Sequence, residues 1–184
     1  HETWSLPGRN VASDPELARQ LADAVAGLEL DAAAHAHEHA IEEQMPILAR
    51  LAPEARVVGI TIRGGGPSAL DRFAQEMAGL LAGLPESPLL VISTDMHHHG
   101  NDADTRRLDR MALECIEDLD PARLYETVAE NRIRMCGVLP AVLVMQTLRH
   151  LGSLNRCEPV GYATSADAGG DTSQVVGYAG MLFA

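Results

Sequence analysis

Six of the eight histidines in this 184-residue chain fall in two short runs: His35, His37 and His39, then His97, His98 and His99. Neutral imidazole is the commonest metal ligand and the ordinary acid or base near neutral pH, so both runs mark candidate sites of metal binding or proton transfer. The second run lies in Ser93-Thr94-Asp95-Met96-His97-His98-His99-Gly100, which sets a carboxylate close to the imidazoles. Three cysteines, Cys115, Cys136 and Cys157, cannot all pair, and none stands in a C-x-x-C arrangement. An odd count favours reduced thiols, and Cys115 and Cys157 read as small buried apolar residues.

Several familiar chemistries are excluded. His37-Glu38 begins the zincin pattern H-E-x-x-H, but Ile41 occupies the place of its second histidine. No G-x-S-x-G elbow is present, nor closely spaced cysteines and histidines for a structural zinc site. Gly64-Gly65-Gly66 follows an apparent strand and precedes a helix, yet no Walker lysine comes after it. It reads as a flexible turn rather than a phosphate cradle.

The elements that must position these residues follow from periodicity. Leu89-Leu90-Val91-Ile92 ahead of Asp95 reads as a strand buried on both faces, as in a mostly parallel sheet, where ligands collect beyond the carboxyl ends of strands. Arg56 to Ile62 reads as a second strand, and Glu158 to Thr164 and Val175 to Phe183 as two more. The opening residues before Pro7-Gly8 form a short strand. Helices are expected from Pro15 to about Gly27, from about Glu38 to Leu51, from Pro67 to Leu84, from Asp104 to about Leu119, from Pro121 to about Asn131 and from Leu139 to about Leu151. If the second of these extends back far enough, His35, His39 and Glu42 share a face able to hold a metal or a substrate proton. Alternating strands and helices predict an α/β sandwich with a mixed, mostly parallel sheet flanked by helices.

Composition narrows the partners. Fourteen Lys and Arg against 26 Asp and Glu give a formal net charge of −12, which repels a nucleic-acid backbone, and aromatics at 3% leave few platforms for stacking bases. No apolar run is long enough to span a bilayer and no basic-then-apolar leader opens the chain, so the expected location is cytoplasmic. Residues 1–184 read as one domain; opening at once on a strand without a starting Met, it reads as part of a longer chain.

Four ordered motifs carry a resemblance. Glu38-His39-Ala40-Ile41-Glu42-Glu43-Gln44-Met45-Pro46 resembles the E-H-S-x-E-x-Q-x-P element of the Memo family, and residues 93 to 100 resemble its S-S-D-x-x-H-x-G element. Met135-Cys136-Gly137 with Pro140 resembles the x-C-G-x-x-P element. Tyr162 to Ser165, then Asp171-Thr172-Ser173 to Gly180, resembles the Y-x-x-S and D-S-x-V-x-Y-A ending.

The resemblance implies a fold shared with class III extradiol ring-cleavage dioxygenases, and an iron or copper ion held by two histidines and a cysteine, the cysteine being Cys136. It places His39, Asp95 and His98 in the same pocket. His39 and His98 would then act as acid or base, and Asp95 would orient a histidine. A thiolate is a softer donor than a carboxylate and favours copper or a tuned iron. The implied reaction is metal-dependent oxidation of a small molecule, with O2 as a candidate co-substrate; the alternative is a non-catalytic binding module. Implied partners are an AMMECR1-type protein and a radical-SAM enzyme. The family's metal-binding histidines belong to P-H-A-G-Y and G-P-x-H elements that do not occur here, so the chain corresponds to the C-terminal two-thirds of the domain. Asp95, His98 and Cys136 remain as the donors able to bind a metal.

Overall fold

A computed structural model describes residues 3–36 and 38–184. His37, and with it the start of the incomplete zincin pattern, lies outside the described residues.

The described chain is an α/β sandwich of six α-helices and two three-stranded sheets. Strands β1 (Thr3–Leu6) and β2 (Arg9–Ser13) pair antiparallel around Pro7-Gly8, and β2 pairs in parallel with the two-residue β3 (Arg56–Val57). The second sheet has the order β4 (His98–Gly100), β6 (Val175–Phe183), β5 (Cys157–Thr164), all antiparallel. Strand pairing is therefore mostly antiparallel, with β2 and β3 as the parallel pair.

The helices follow the sequence cues closely. Asp14 caps α1 (Pro15–Ala24) by accepting from the Leu17 amide at 3.0 Å, with Pro15 in the first turn, where a missing N–H costs nothing. Pro46 does not kink a long helix; it sits in the first turn of the short α2 (Met45–Leu51). The stretch before it is a 3-10 turn at Glu42–Gln44, so no continuous helix places His35 and His39 on one face. His35 instead ends a 3-10 turn, Ala33–His35, and lies edge-on to Trp4 with ring centroids 5.9 Å apart.

Helix α3 (Pro67–Ala82) packs on α6 (Val138–His150), α6 on α5 (Pro121–Glu130), and α5 on α4 (Asp102–Glu117), which lies on β5 and β6. Asn101 rather than Asp104 caps α4, accepting from the Asp104 amide at 3.0 Å. Leu70, Met77, Leu113, Ile116, Leu124 and Met145 are among the larger side chains of one buried cluster. Their burial is the main favourable term in folding. A small second cluster, Trp4, Val11, Met45 and Ala49, joins α2 to the hairpin. No described helix is long and apolar enough to cross a membrane.

The two apolar segments read as doubly buried strands depart from that expectation. Residues 58–62 and 89–95 carry no strand pairing, and only alternate side chains face the core: Val58, Ile60 and Ile62, and Leu90 and Ile92. Leu89 is 84% exposed and Val91 54%. The period-2 pattern of a strand is there; Gly59 lies against Ile41 and Trp4, while the other face of residues 89–95 is uncovered among the described residues.

A buried carboxylate joins the second sheet to the helices. Asp109 on α4 has no solvent exposure; its Oδ1 accepts from the His97 amide and its Oδ2 from the Tyr162 hydroxyl, both at 2.7 Å. Burial pushes its carboxyl up from the ordinary value, against the lowering effect of those hydrogen bonds. Gly177 on β6 leaves the space: a Cβ there would stand 1.8 Å from Asp109 Oδ2. Gly177→Ala should therefore cost about 2–3 kcal/mol through overpacking. Gly180→Ala, whose Cβ would meet Val160 at 3.4 Å, should cost under about 1 kcal/mol. Denaturant midpoints of the two variants check the difference.

Candidate metal centre

Asp95, His98 and Cys136 each offer one ligand atom, and those atoms lie within 4.8 Å of one another. They come from two places: the segment running from residue 93 into β4, and the connector between α5 and α6. The site exists because two interactions fasten that connector to that segment and a third holds the segment itself to α4.

The first is made by Thr94, whose Oγ1 accepts from the Gly137 amide at 2.7 Å and lies 3.5 Å from Cys136 Sγ. Approach this close requires glycine, since a Cβ at Gly137 would stand 2.4 Å from Thr94 Cβ. The second is made by His97, whose Nδ1 accepts from the Arg134 amide at 3.1 Å. Burial lowers the pKa of His97, which favours the neutral ring whose nitrogen can accept. The third is the Asp109 bond to the His97 amide, which fixes the backbone between Asp95 and His98.

The segment is also pinned to β6. The Met96 amide donates to the Gly177 carbonyl at 2.9 Å and the Gly177 amide to the His97 carbonyl at 3.1 Å. A bulge between His98 and Gly100 then breaks the register, with His99 at φ +61. Bulges re-aim side chains. Here His98 turns inward while His99 stays exposed.

Asp95 and His98 are a third and a quarter exposed, and Asp95 Oδ2 lies 3.4 Å from His98 Nε2. That contact is long and misaligned for a hydrogen bond, so Nε2 is buried without a hydrogen-bond partner. Cys136 is exposed. The donor set decides whether a metal fits. An imidazole nitrogen without a hydrogen bond, a thiol and a carboxylate oxygen on one small locus form a mixed N, S, O set suited to a transition metal. It lacks the all-oxygen character that magnesium or calcium prefers.

His39 stands apart from this group. Its side chain is exposed, although its neighbourhood is tied to the site: Ser93 Oγ donates to the Ala40 carbonyl at 2.6 Å and accepts from Gln44 Nε2 at 3.0 Å. Glu38 shapes this loop by accepting from the amides of Ala40 and Ile41. Cys115 is buried and Cys157 half-buried, away from the donor group. Sequence reasoning missed the supports: Thr94, His97 as an acceptor, and Asp109. Asp109 did leave a signal, a carboxylate on the otherwise buried stripe Thr105, Ala112, Leu113 and Ile116 of α4.

The sequence model of the Memo-like protein family matches residues 1–182 of this chain. The chain belongs to the Memo family. It is similar to MEMO1 family proteins of Methanobrevibacter smithii, 32% identical over 98% of this chain and 64% of the relative, and of Ignicoccus hospitalis, 33% identical over 98% and 63%. A third, from Archaeoglobus fulgidus, is 31% identical over 99% and 68%. The chain thus spans just under two thirds of the first two relatives' length. Membership in the Memo family agrees with the four motifs; residues 93–100 and 135–140 supply the donor group, and residues 38–46 are tied to it through Ser93.

If Thr94 holds the connector as described, Thr94→Val leaves the Gly137 amide unpaired and should cost about 1–2 kcal/mol. Thr94→Ser keeps the acceptor and should recover most of that loss. Chemical denaturation of the two variants beside the parent measures both effects.

Proposed function

We propose that Asp95, His98 and Cys136 are this chain's contribution to a non-haem iron or copper centre, serving a dioxygenase-like oxidation of a small molecule. The observation that carries this reading is the buried Nε2 of His98, left without a hydrogen bond beside a carboxylate and a thiol. Native proteins seldom leave such an atom unsatisfied, and a ligand is one of the few physical reasons for it.

A metal bound here would supply redox and Lewis-acid chemistry. The chain's own residues have separable tasks. Cys136 provides a soft anionic donor on the solvent side, where the ion enters. Asp95, whose Oδ2 lies 3.4 Å from that same His98 Nε2, would supply a second donor and neutralise charge on the ion. His39, exposed on the loop fastened to Ser93, would take up or release a substrate proton in exchange with solvent. The net charge of −12 favours approach of a cation.

Reconstitution with Fe(II) or Cu(II), followed by metal analysis and absorption spectroscopy, tests the centre. Wild type should bind about one equivalent with a thiolate-to-metal absorption band. Cys136→Ser should lose the band and weaken binding more than about 10-fold, while His99→Ala should change neither. Binding that survives Cys136→Ser but disappears with His99→Ala would mark adventitious capture by the histidine run. The activity is tested by metal-dependent O2 consumption with a reductant present; its absence in both this chain and the longer relatives would remove the oxidative reading.

A further inference from the structure

Thr94 has three polar neighbours and one proton to give. Its Oγ1 lies 2.7 Å from the Asp95 carbonyl oxygen, 2.7 Å from the Gly137 amide nitrogen and 3.5 Å from Cys136 Sγ. A hydroxyl offers one donor and two acceptor lone pairs, so the roles among these neighbours are determined. The carbonyl can only accept and the amide can only donate. The hydroxyl proton therefore goes to Asp95, the amide proton comes to Oγ1, and the second lone pair takes the S–H of Cys136. The arrangement is complete only while the sulfur carries a proton.

A cysteine that ligates a metal does so as the thiolate. Its sulfur is then an anionic acceptor with no proton to offer Oγ1, and the Thr94 proton has two acceptors within reach. The Gly137 amide still donates to Oγ1 and holds that oxygen in place, while the hydroxyl proton is free to rotate. Hydrogen bonds to an ionised group are roughly twice as strong as those between neutral groups, which favours the sulfur over the carbonyl. Gly137 is what lets the connector come this close: a Cβ there would stand 2.6 Å from Thr94 Oγ1.

Given the metal centre proposed above, on which this reading rests, we infer that the Thr94 hydroxyl turns from the Asp95 carbonyl to the Cys136 sulfur and donates a hydrogen bond to it whenever that sulfur is a ligand. Thr94 is then a positioning residue that acts through Cys136, over and above its grip on the connector. A donor aimed at a ligating sulfur draws charge from it. That raises the energy of thiolate-to-metal charge transfer and the reduction potential of the centre.

The test loads the chain with Cu(II) and records absorption and resonance Raman spectra in H2O and in D2O. In wild type the metal–sulfur stretch should shift on exchange into D2O, because the bond to sulfur carries an exchangeable proton. Thr94→Ser should keep that shift. Thr94→Val should lose it, and its thiolate-to-metal band should move to longer wavelength. A residue that only held the connector in place would give no isotope-sensitive stretch to lose. A band and stretch unchanged in Thr94→Val would overturn the inference while the centre stands. So would a D2O shift that persists in Thr94→Val, which makes solvent the donor, or one missing from wild type, a result that needs no variant to fold. A wild-type chain with no thiolate band at all would remove the centre, and the role of Thr94 with it.

Discussion

A carboxylate with no exposure to solvent must find donors inside the protein, and Asp109 finds two on different segments, the His97 amide and the Tyr162 hydroxyl. That requirement shapes the region around it. Tyr162 lies on β5, Gly177 on β6 gives up a side chain to make room, and His97 sits between two of the candidate ligands. Withdrawing such an acceptor would strand a buried amide, at a cost of about 1–3 kcal/mol. The arrangement is therefore fixed from the α4 side, and the loop bearing Asp95 and His98 has little freedom to rearrange.

The second constraint runs the other way, from the loop to the connector. Thr94 and His97 both present acceptors to backbone amides of residues 134–137, so Cys136 is placed by bonds made by its neighbours. Placement of this kind tolerates little change of shape, because the acceptors sit on a segment already held by Asp109 and Gly177. It also explains how an exposed thiol keeps a defined position relative to Asp95 and His98. Preorganisation by surrounding hydrogen bonds is what a site needs if its own donors are few.

Much of this was legible in the sequence, for reasons that differ by element. Helices α1, α3, α5 and α6 were readable because Pro at the first turn and a 3.6-residue apolar stripe are local signals, and their ends fell within about three residues of expectation. Residues 38–51 were harder: the same stripe appears, but Pro46 permits only a short α-helix after a 3-10 turn, which removed the shared face expected for His35 and His39. The motifs brought Asp95, His98 and Cys136 into one argument, yet nothing local could say that Thr94 and His97 would be the fasteners. Their partners are backbone amides about forty residues away, and backbone groups have no sequence signature.

Residues 89–95 illustrate a different limit. Apolar and β-branched composition correctly implies an extended segment, but whether it becomes a paired strand depends on neighbours that composition cannot supply. Here one face is covered by the helical core and the other is not, so the same run that reads as doubly buried holds Leu90 and Ile92 inward and leaves Leu89 and Val91 in water. The donor group sits at the end of this half-covered run, which is why Cys136 is exposed and His98 and Asp95 are a quarter to a third exposed. A low-dielectric surrounding strengthens electrostatic interactions and excludes competing reactions with water.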